Sequence, residues 1–486
     1  MTFSAEVKEI LVRYRDIWSL RYALSLLGWD METYMPPLAS EERGEVRGNL
    51  ETQVQRLYTH PEFIGLVESA KPQNEIEEGI IRVLKRWIKY YTRIPKELIE
   101  EEERTVAKAF QDWKEARAKS DFSIFMPTLE KIVELQRRKA EYLGYEDHPY
   151  DALLDIYEEG LTLKKCERIF SVLKDISSLF KELKERYPEK HEIEDIAYDE
   201  RMMRRLIEHV LFHLGFDTSR ARLDTSPHPF TVSMGLYDVR ITVRYEGRDF
   251  RRALMAAVHE FGHASYEMNV SEELRATPVQ SGASLGFHES QSRFWENIVG
   301  RSRAFVRRFY DSMLMAIPEL KKYSEEDVYT YFTMVKPELI RVEADEVQYP
   351  LHIGLRFELE KRMIEGDLKV KELPEIWNQR MEELIGITPP NDSLGVLQDI
   401  HWAHATIGYF PTYAIGSMIA AQLYYKLDLA DRVKEGRFGE VMGVLKERVH
   451  KHGSVYSPED LLKRTTGDYI NPDYFLRYLN EKYQSI

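Results

Sequence analysis

Apolar residues at three- and four-residue steps run through most of the chain, which restricts it to a mainly helical fold. Glu6 to Leu27, Glu75 to Tyr91, Pro95 to Lys119, Phe125 to Leu143 and Thr162 to Arg186 are long segments of this kind, rich in Glu, Lys, Arg and Leu. Breaks are predicted at Met35-Pro36-Pro37, His60-Pro61, Gly144 to Pro149 and Thr388-Pro389-Pro390-Asn391. No Gly/Ser-rich linker, low-complexity tract or fixed-period repeat interrupts the 486 residues. One domain over 1–486 is therefore expected rather than a string of modules.

One segment departs from the helical period. In Asp238 to Tyr245, Val239, Ile241, Val243 and Tyr245 alternate with Arg240, Thr242 and Arg244, which is strand periodicity. It follows the rigid extended stretch Ser226-Pro227-His228-Pro229-Phe230. A small sheet is expected there, with an edge to which an extended peptide could add.

The helical pattern resumes from Phe250 to Met268, through Leu254, Ala257, Val258, Phe261 and Met268. It carries His259-Glu260-Phe261-Gly262-His263. Residues four apart on a helix lie about 40° apart around the axis and one turn up. Both imidazoles can then reach one Zn²⁺, with Glu260 placed to take a proton from metal-bound water.

A catalytic zinc site usually has three protein ligands. Downstream, Phe287-His288-Glu289-Ser290-Gln291-Ser292 opens a further helical pattern through Phe294, Trp295, Ile298 and Val299. A loop from Asn269 to Gly286, with Pro278, Gly282 and Gly286, is long enough to bring that helix back against the first. Glu289 would then complete a His₂Glu set. On pattern alone Glu267, Glu272, Glu273, His288 and Glu296 compete with it; Glu272 and Glu273 are expected to face water.

Composition narrows the class of function. With 82 acidic against 68 basic residues the net charge is −14, unlike the basic excess of a nucleic-acid binder. The single cysteine, Cys166, rules out an intrachain disulfide and suits a reducing interior. Met1 to Asp16 is charged and lacks the apolar stretch of a signal peptide, and no apolar window approaches the ~18 residues of a membrane span. A cytoplasmic protein is expected. Sparse Asn and Gln beside abundant Glu, Lys, Arg and Tyr fit a heat-stable one.

Six ordered motifs, with a seventh stretch near the N-terminus, resemble the carboxypeptidase Taq family of metallocarboxypeptidases. They are His228-Pro229-Phe230, Asp238-Val239-Arg240-Ile241-Thr242, His259 to His263, His288-Glu289-Ser290-Gln291, Ile340-Arg341-Val342-Glu343-Ala344-Asp345 and Gly395-Val396-Leu397-Gln398-Asp399-Ile400-His401-Trp402. The N-terminal Trp29-Asp30-Met31-Glu32-Thr33-Tyr34-Met35-Pro36 is similar to the family as well. The resemblance implies an almost all-helical single domain with a deep groove, assembling as a homodimer. It implies zinc, with cobalt able to substitute, held by His259, His263 and Glu289, and Glu260 as base. The implied reaction releases single C-terminal residues from peptides with broad side-chain tolerance.

Such an enzyme must grip a free carboxylate, and Arg341 is the candidate guanidinium; the competing expectation is a surface arginine paired with Glu338 or Asp345. The order His401, Tyr409, Tyr413 is similar to the distantly related peptidyl-dipeptidases. By that likeness Tyr413 stabilises the oxyanion, Tyr409 helps hold the carboxylate and His401 bonds the substrate backbone. His228 and Arg240 are candidates for closing the far end of the groove. An endopeptidase or dipeptide-releasing enzyme would use the same zinc chemistry. A di-iron helical protein built on Glu260-x-x-His263 and Glu447-Arg448-Val449-His450 is a different-class alternative; the second copy is expected at a solvated helix end.

Overall fold

Local capping and apolar spacing place the helices close to where the sequence pattern puts them. The computed structural model describes residues 3–484. The first helix, Ala5–Thr33, starts after Ser4, whose hydroxyl accepts the Val7 N–H at 3.3 Å. Glu75–Arg93, Lys96–Lys119 and Met126–Leu143 follow the expected segments within a few residues. Thr162 to Arg186 is not continuous. It divides into Leu163–Ile169, a 3₁₀ turn at Phe170–Val172 and Leu173–Leu183. At the break the Ser171 hydroxyl donates to the Arg168 carbonyl at 2.8 Å, a local bond that competes with regular helix. No helix among the described residues is long and apolar enough to cross a membrane.

Contacts group the chain into two units, each assembled from three separate segments. The first comprises 3–92, 190–332 and 419–469. Its N-terminal helices enclose an apolar cluster that includes Val7, Ile10, Val54, Val67, Ile80 and Leu84. It also holds a three-stranded sheet: β1 (Ala221–Thr225), β2 (Thr231–Gly235) and β3 (Asp238–Val243). The order is β1-β3-β2, with β3 parallel to β1 and antiparallel to β2. The predicted strand is thus the central one, paired on both sides, and β1 and β2 carry the outer edges. Val239, Ile241 and Val243 are fully buried, and so is Thr242 from the alternate set, so the strand is covered on both faces at its end.

The sheet is followed directly by the motif helix, Phe250–Met268. A second helix, Leu285–Arg293, packs against it and passes without a break into a π-helical turn, Phe294–Gly300. The unit therefore carries its two metal-motif segments on adjacent rigid elements.

The second unit comprises 93–189, 333–418 and 470–484. Its centre is the helix Tyr349–Glu365, most of whose residues are buried, flanked by Met126–Leu143, Pro149–Tyr157 and Leu173–Leu183. The close packing is visible at Gly354, where an added Cβ would lie 2.1 Å from the Leu173 side chain.

Candidate metal centre and active site

The motif helix presents His259 and His263 one turn apart on the side that meets Leu285–Arg293. From that second helix Glu289 projects one carboxylate oxygen toward both rings. Its Oε2 lies 3.7 Å from His259 Nε2 and 3.4 Å from His263 Nε2. Tetrahedral ligands about 2.0–2.1 Å from zinc are separated by roughly 3.3 Å, so both separations are in the range that a shared divalent ion requires. It is the one His/Cys/Asp/Glu group among the described residues with metal-binding geometry.

Each ligand is oriented from behind. His259 Nδ1 bonds Glu296 Oε2 at 2.9 Å. Glu296 is reached because the π-helical turn carries it, and Arg301 donates to its other oxygen at 2.8 Å. His263 Nδ1 meets His288 Nδ1 at 3.0 Å, and His288 Nε2 meets Glu267 Oε1 at 2.6 Å. One proton placement satisfies both chains: each ligand ring donates from Nδ1, His288 accepts on Nδ1 and donates from Nε2 to Glu267. That leaves both Nε2 lone pairs for the metal. Arg293 donates to Glu289 Oε1 at 2.6 Å and Ser292 to Oε2 at 3.0 Å.

Electrostatics follow these contacts. Burial works to raise the Glu289 carboxyl, but the Arg293 guanidinium and His259 outweigh it and hold it well below the usual carboxylate range. Burial and the neighbouring His259 and His288 lower the His263 pKa, keeping the imidazole neutral as a ligand must be.

Glu260, between the two histidines, is buried as well. Its Oε2 accepts the Thr231 hydroxyl at 2.6 Å, so the first residue of β2 fixes the carboxylate's rotamer.

In the second unit, Arg341 is buried rather than a surface arginine. Its Nε and Nη2 donate to Asp399 Oδ1 at 3.0 and 2.8 Å and its Nη1 to the Tyr349 hydroxyl at 3.0 Å. Arg356, fully buried, donates to Asp399 Oδ2 at 2.6 Å and to Gln398 Oε1 at 2.8 Å. Two guanidinium groups thus share one carboxylate, which leaves a net positive charge. Burial, opposed by Asp399 and reinforced by Arg341 and Arg356, pushes the His401 pKa down to about 3. His401 Nε2 lies 3.2 Å from the Tyr413 hydroxyl, and the Arg341 guanidinium sits 5.0 Å from the Tyr413 ring centre. Tyr409 packs its ring edge on Tyr157 and lies beside His401.

Comparison with known proteins gives one answer. The model of the carboxypeptidase Taq (M32) metallopeptidase family matches residues 9–483. The chain belongs to that family. Thermostable carboxypeptidase 1 of Pyrococcus furiosus is 48% identical over 489 residues, with 98% of each chain covered. Carboxypeptidase 1 of Bacillus subtilis is 38% identical over 498 residues, covering 100% of this chain and 99% of its own. A solved Pyrococcus furiosus carboxypeptidase structure superposes with a TM-score of 0.97 at 47% identity over 99% of both chains. The protein is a metal-dependent peptide hydrolase, a metallocarboxypeptidase.

The other residues singled out in the sequence have definite surroundings in this M32 chain. Arg240 is held by Asp238 at 2.8 and 2.9 Å and its guanidinium lies 4.2 Å from the Trp29 ring centre. His228 is exposed on the turn between β1 and β2. Glu267 and His288, rivals for the third ligand, stand behind His263 instead, and Glu296 stands behind His259. His450, expected at a solvated helix end, is fully buried against Tyr266 and bonds Gln291 Oε1 at 2.8 Å. The 3₁₀ turn His450–His452 folds it inward while Glu447 stays exposed, so the two do not form a second metal half-site.

Sequence reasoning passed over Gly262. A Cβ there would lie 2.5 Å from the Gln291 carbonyl oxygen and 2.5 Å from Ser292 Cα. The absent side chain is what lets the ligand helix approach; a glycine inside a helical motif was the available signal.

Proposed function

We propose that this M32 enzyme releases single residues from free peptide C-termini with broad side-chain tolerance, acting as one peptidase domain over 1–486. The observation that carries the metal assignment is the convergence of His259 Nε2, His263 Nε2 and Glu289 Oε2. These residues hold one Zn²⁺ per chain, for which Co²⁺ can substitute. The ion, when bound, supplies Lewis acidity to the scissile carbonyl and acidifies water.

Glu260 is the general base. It takes the water proton on its carboxylate and returns it to the leaving amine nitrogen as the C–N bond breaks. Thr231, bonded to Oε2, holds that carboxylate in place. Tyr413 donates its phenol proton toward the oxyanion, and its bond with His401 couples the orientation of the two groups.

Arg341 binds the terminal carboxylate of the substrate, assisted by Tyr409. The positive excess over Asp399 supports an anion partner, and the neutral His401 adds no competing charge. His401 bonds the substrate backbone as well as Tyr413. For His228 and Arg240 the reading is a peptide-binding role at the far end of the substrate, which for Arg240 rests on a side chain already fixed by Asp238 and Trp29. A homodimer is read from the family resemblance, and a cytoplasmic location from the single buried Cys166.

The test is mass spectrometry of a mixed peptide set, offered as free acids and as C-terminal amides, with metal-loaded and chelator-treated enzyme. Stepwise loss of one residue from the acids alone, only with metal, supports the reading. Internal cuts or dipeptide release would remove the carboxylate-anchor assignment and keep the metal chemistry.

A further inference from the structure

Four buried polar side chains lie along one face of the helix Tyr349–Glu365, at positions 349, 352, 356 and 360. Tyr349 meets Arg341, His352 Nε2 lies 3.0 Å from the Glu338 carbonyl, and Arg356 holds Gln398 and Asp399. The last of the four, Glu360, has no part in the chemistry described so far. It is fully buried and receives three donors. Its Oε1 accepts the Trp402 indole N–H at 2.8 Å; its Oε2 accepts the Gly408 backbone N–H at 2.9 Å and the Tyr150 hydroxyl at 2.7 Å.

Trp402 and Gly408 are the two ends of a tight reversal. Between them Thr406 bonds back to the His401 carbonyl through its N–H at 3.0 Å and its hydroxyl at 2.8 Å. Ala405 and Gly408 take left-handed backbone, φ 55° and 97°. At Gly408 a Cβ would also lie 2.8 Å from the Leu153 carbonyl oxygen, so the reversal is seated against Pro149–Tyr157, the helix that supplies Tyr150. The residues just outside the two anchor points are His401 and Tyr409. One carboxylate therefore ties down the immediate neighbours of both.

We propose that Glu360 is a positioning residue that fixes His401 and Tyr409 relative to one another through Trp402 and Gly408. This rests on the reading of His401 and Tyr409 as substrate-contacting groups. The carboxylate is needed in kind, because the indole and backbone N–H groups on its two oxygens can only donate. An amide of the same shape must turn its NH₂ toward one of them. Burial raises the Glu360 carboxyl to about 7, with the three donors from Tyr150, Gly408 and Trp402 pulling the other way.

The test uses full-length, metal-loaded enzyme carrying Glu360→Gln. Breaking one buried, charge-assisted bond lowers kcat/KM by roughly ten- to a hundredfold. Amide exchange rises in 401–409 above any global change, and the kinetic loss is strongly non-additive with His401→Gln or Tyr409→Phe. Unchanged exchange in that stretch, or losses that simply add, would overturn the proposal. Faster exchange with wild-type kinetics also overturns it. In that case the single variants separate the two readings: activity lost in His401→Gln or Tyr409→Phe leaves the functional assignment standing, and activity kept removes it too. Should Glu360→Gln fail to fold, Tyr150→Phe removes one donor only, and the same two readouts are expected to move a few-fold in the same direction; no movement sinks the idea.

Discussion

Gly262 and Gln291 approach so closely that a Cβ on the glycine would lie 2.5 Å from the Gln291 carbonyl oxygen. The pair joins the helix of the two histidines to the helix of the glutamate, so the gap between them sets the metal geometry. Gly262→Ala forces backbone apart rather than a flexible side-chain tip. Overpacking of this kind costs about 1–3 kcal/mol, and displacing Glu289 weakens metal binding in addition. Calorimetry with metal analysis of the dialysed variant is expected to show both a lower unfolding temperature and substoichiometric metal. Full metal occupancy with only a stability loss would separate the helix contact from the site.

The partners behind the two histidines differ in kind, which yields an ordered expectation. Glu296 bonds His259 directly, whereas Glu267 acts on His263 through His288. Loss of a direct partner typically weakens metal affinity about 10–100-fold. Glu296→Gln is expected in that range and Glu267→Gln below it, read by equilibrium competition with a chelator. Equal losses would mean that the intervening imidazole transmits the charge undiminished.

Much of this centre was legible in the sequence, for identifiable reasons. His259, Glu260 and His263 sit on one strongly periodic helix, and their spacing alone implies convergence. Glu289 was one of several candidates until the family resemblance singled it out, because a loop separates it from the histidines and loops erase spacing. The roles of Glu267, His288 and Glu296 were hidden for the same reason: all three were read as rival ligands, since contact order across a helix pair and a π-helical turn is not encoded in local period. Arg341 was singled out as the carboxylate anchor against a surface arginine paired with Glu338 or Asp345; it is buried, and its pairing with Asp399 joins segments 58 positions apart. In the fold, the strand at 238–243 was visible in its alternation, while its central place in the sheet depended on β1 and β2, whose short runs carry no such signal.

Arg341 makes a charge-specific prediction. Lysine keeps the charge but cannot donate to Asp399 from two nitrogens and present a guanidinium edge to a carboxylate. Arg341→Lys is expected to reduce kcat/KM on free-acid peptides by roughly ten- to a hundredfold, the worth of a charge-assisted bond. Metal content should stay at the wild-type level, since Arg341 belongs to the other cluster of contacts. Wild-type kinetics on acids would dismiss Arg341 as the anchor.

Acid lability should carry the mark of the buried histidines. Burial, with Arg356 and Arg341 adding to it, lowers His352 from the ordinary 6.5 to about 3. His401 and His450 fall to about 3 as well, again chiefly through burial. Below pH 6.5 the unfolded chain binds protons at these sites and the native chain does not. Their contribution to stability is therefore complete above about 6.5 and is lost as the pH falls toward 3, with a slope of at most ~1.4 kcal/mol per pH unit per histidine. Glu360 and Asp345, raised by burial to about 7 and about 6, act in the opposite sense and soften the decline over part of the range. Urea unfolding of chelator-treated protein between pH 7 and pH 5 removes metal release from the comparison. His352→Gln, whose amide can still donate to the Glu338 carbonyl, is expected to be the less stable protein at pH 7 and to lose stability more gently on acidification. Parallel lines for the two proteins would mean that His352 titrates alike in both states and that the acid sensitivity lies elsewhere.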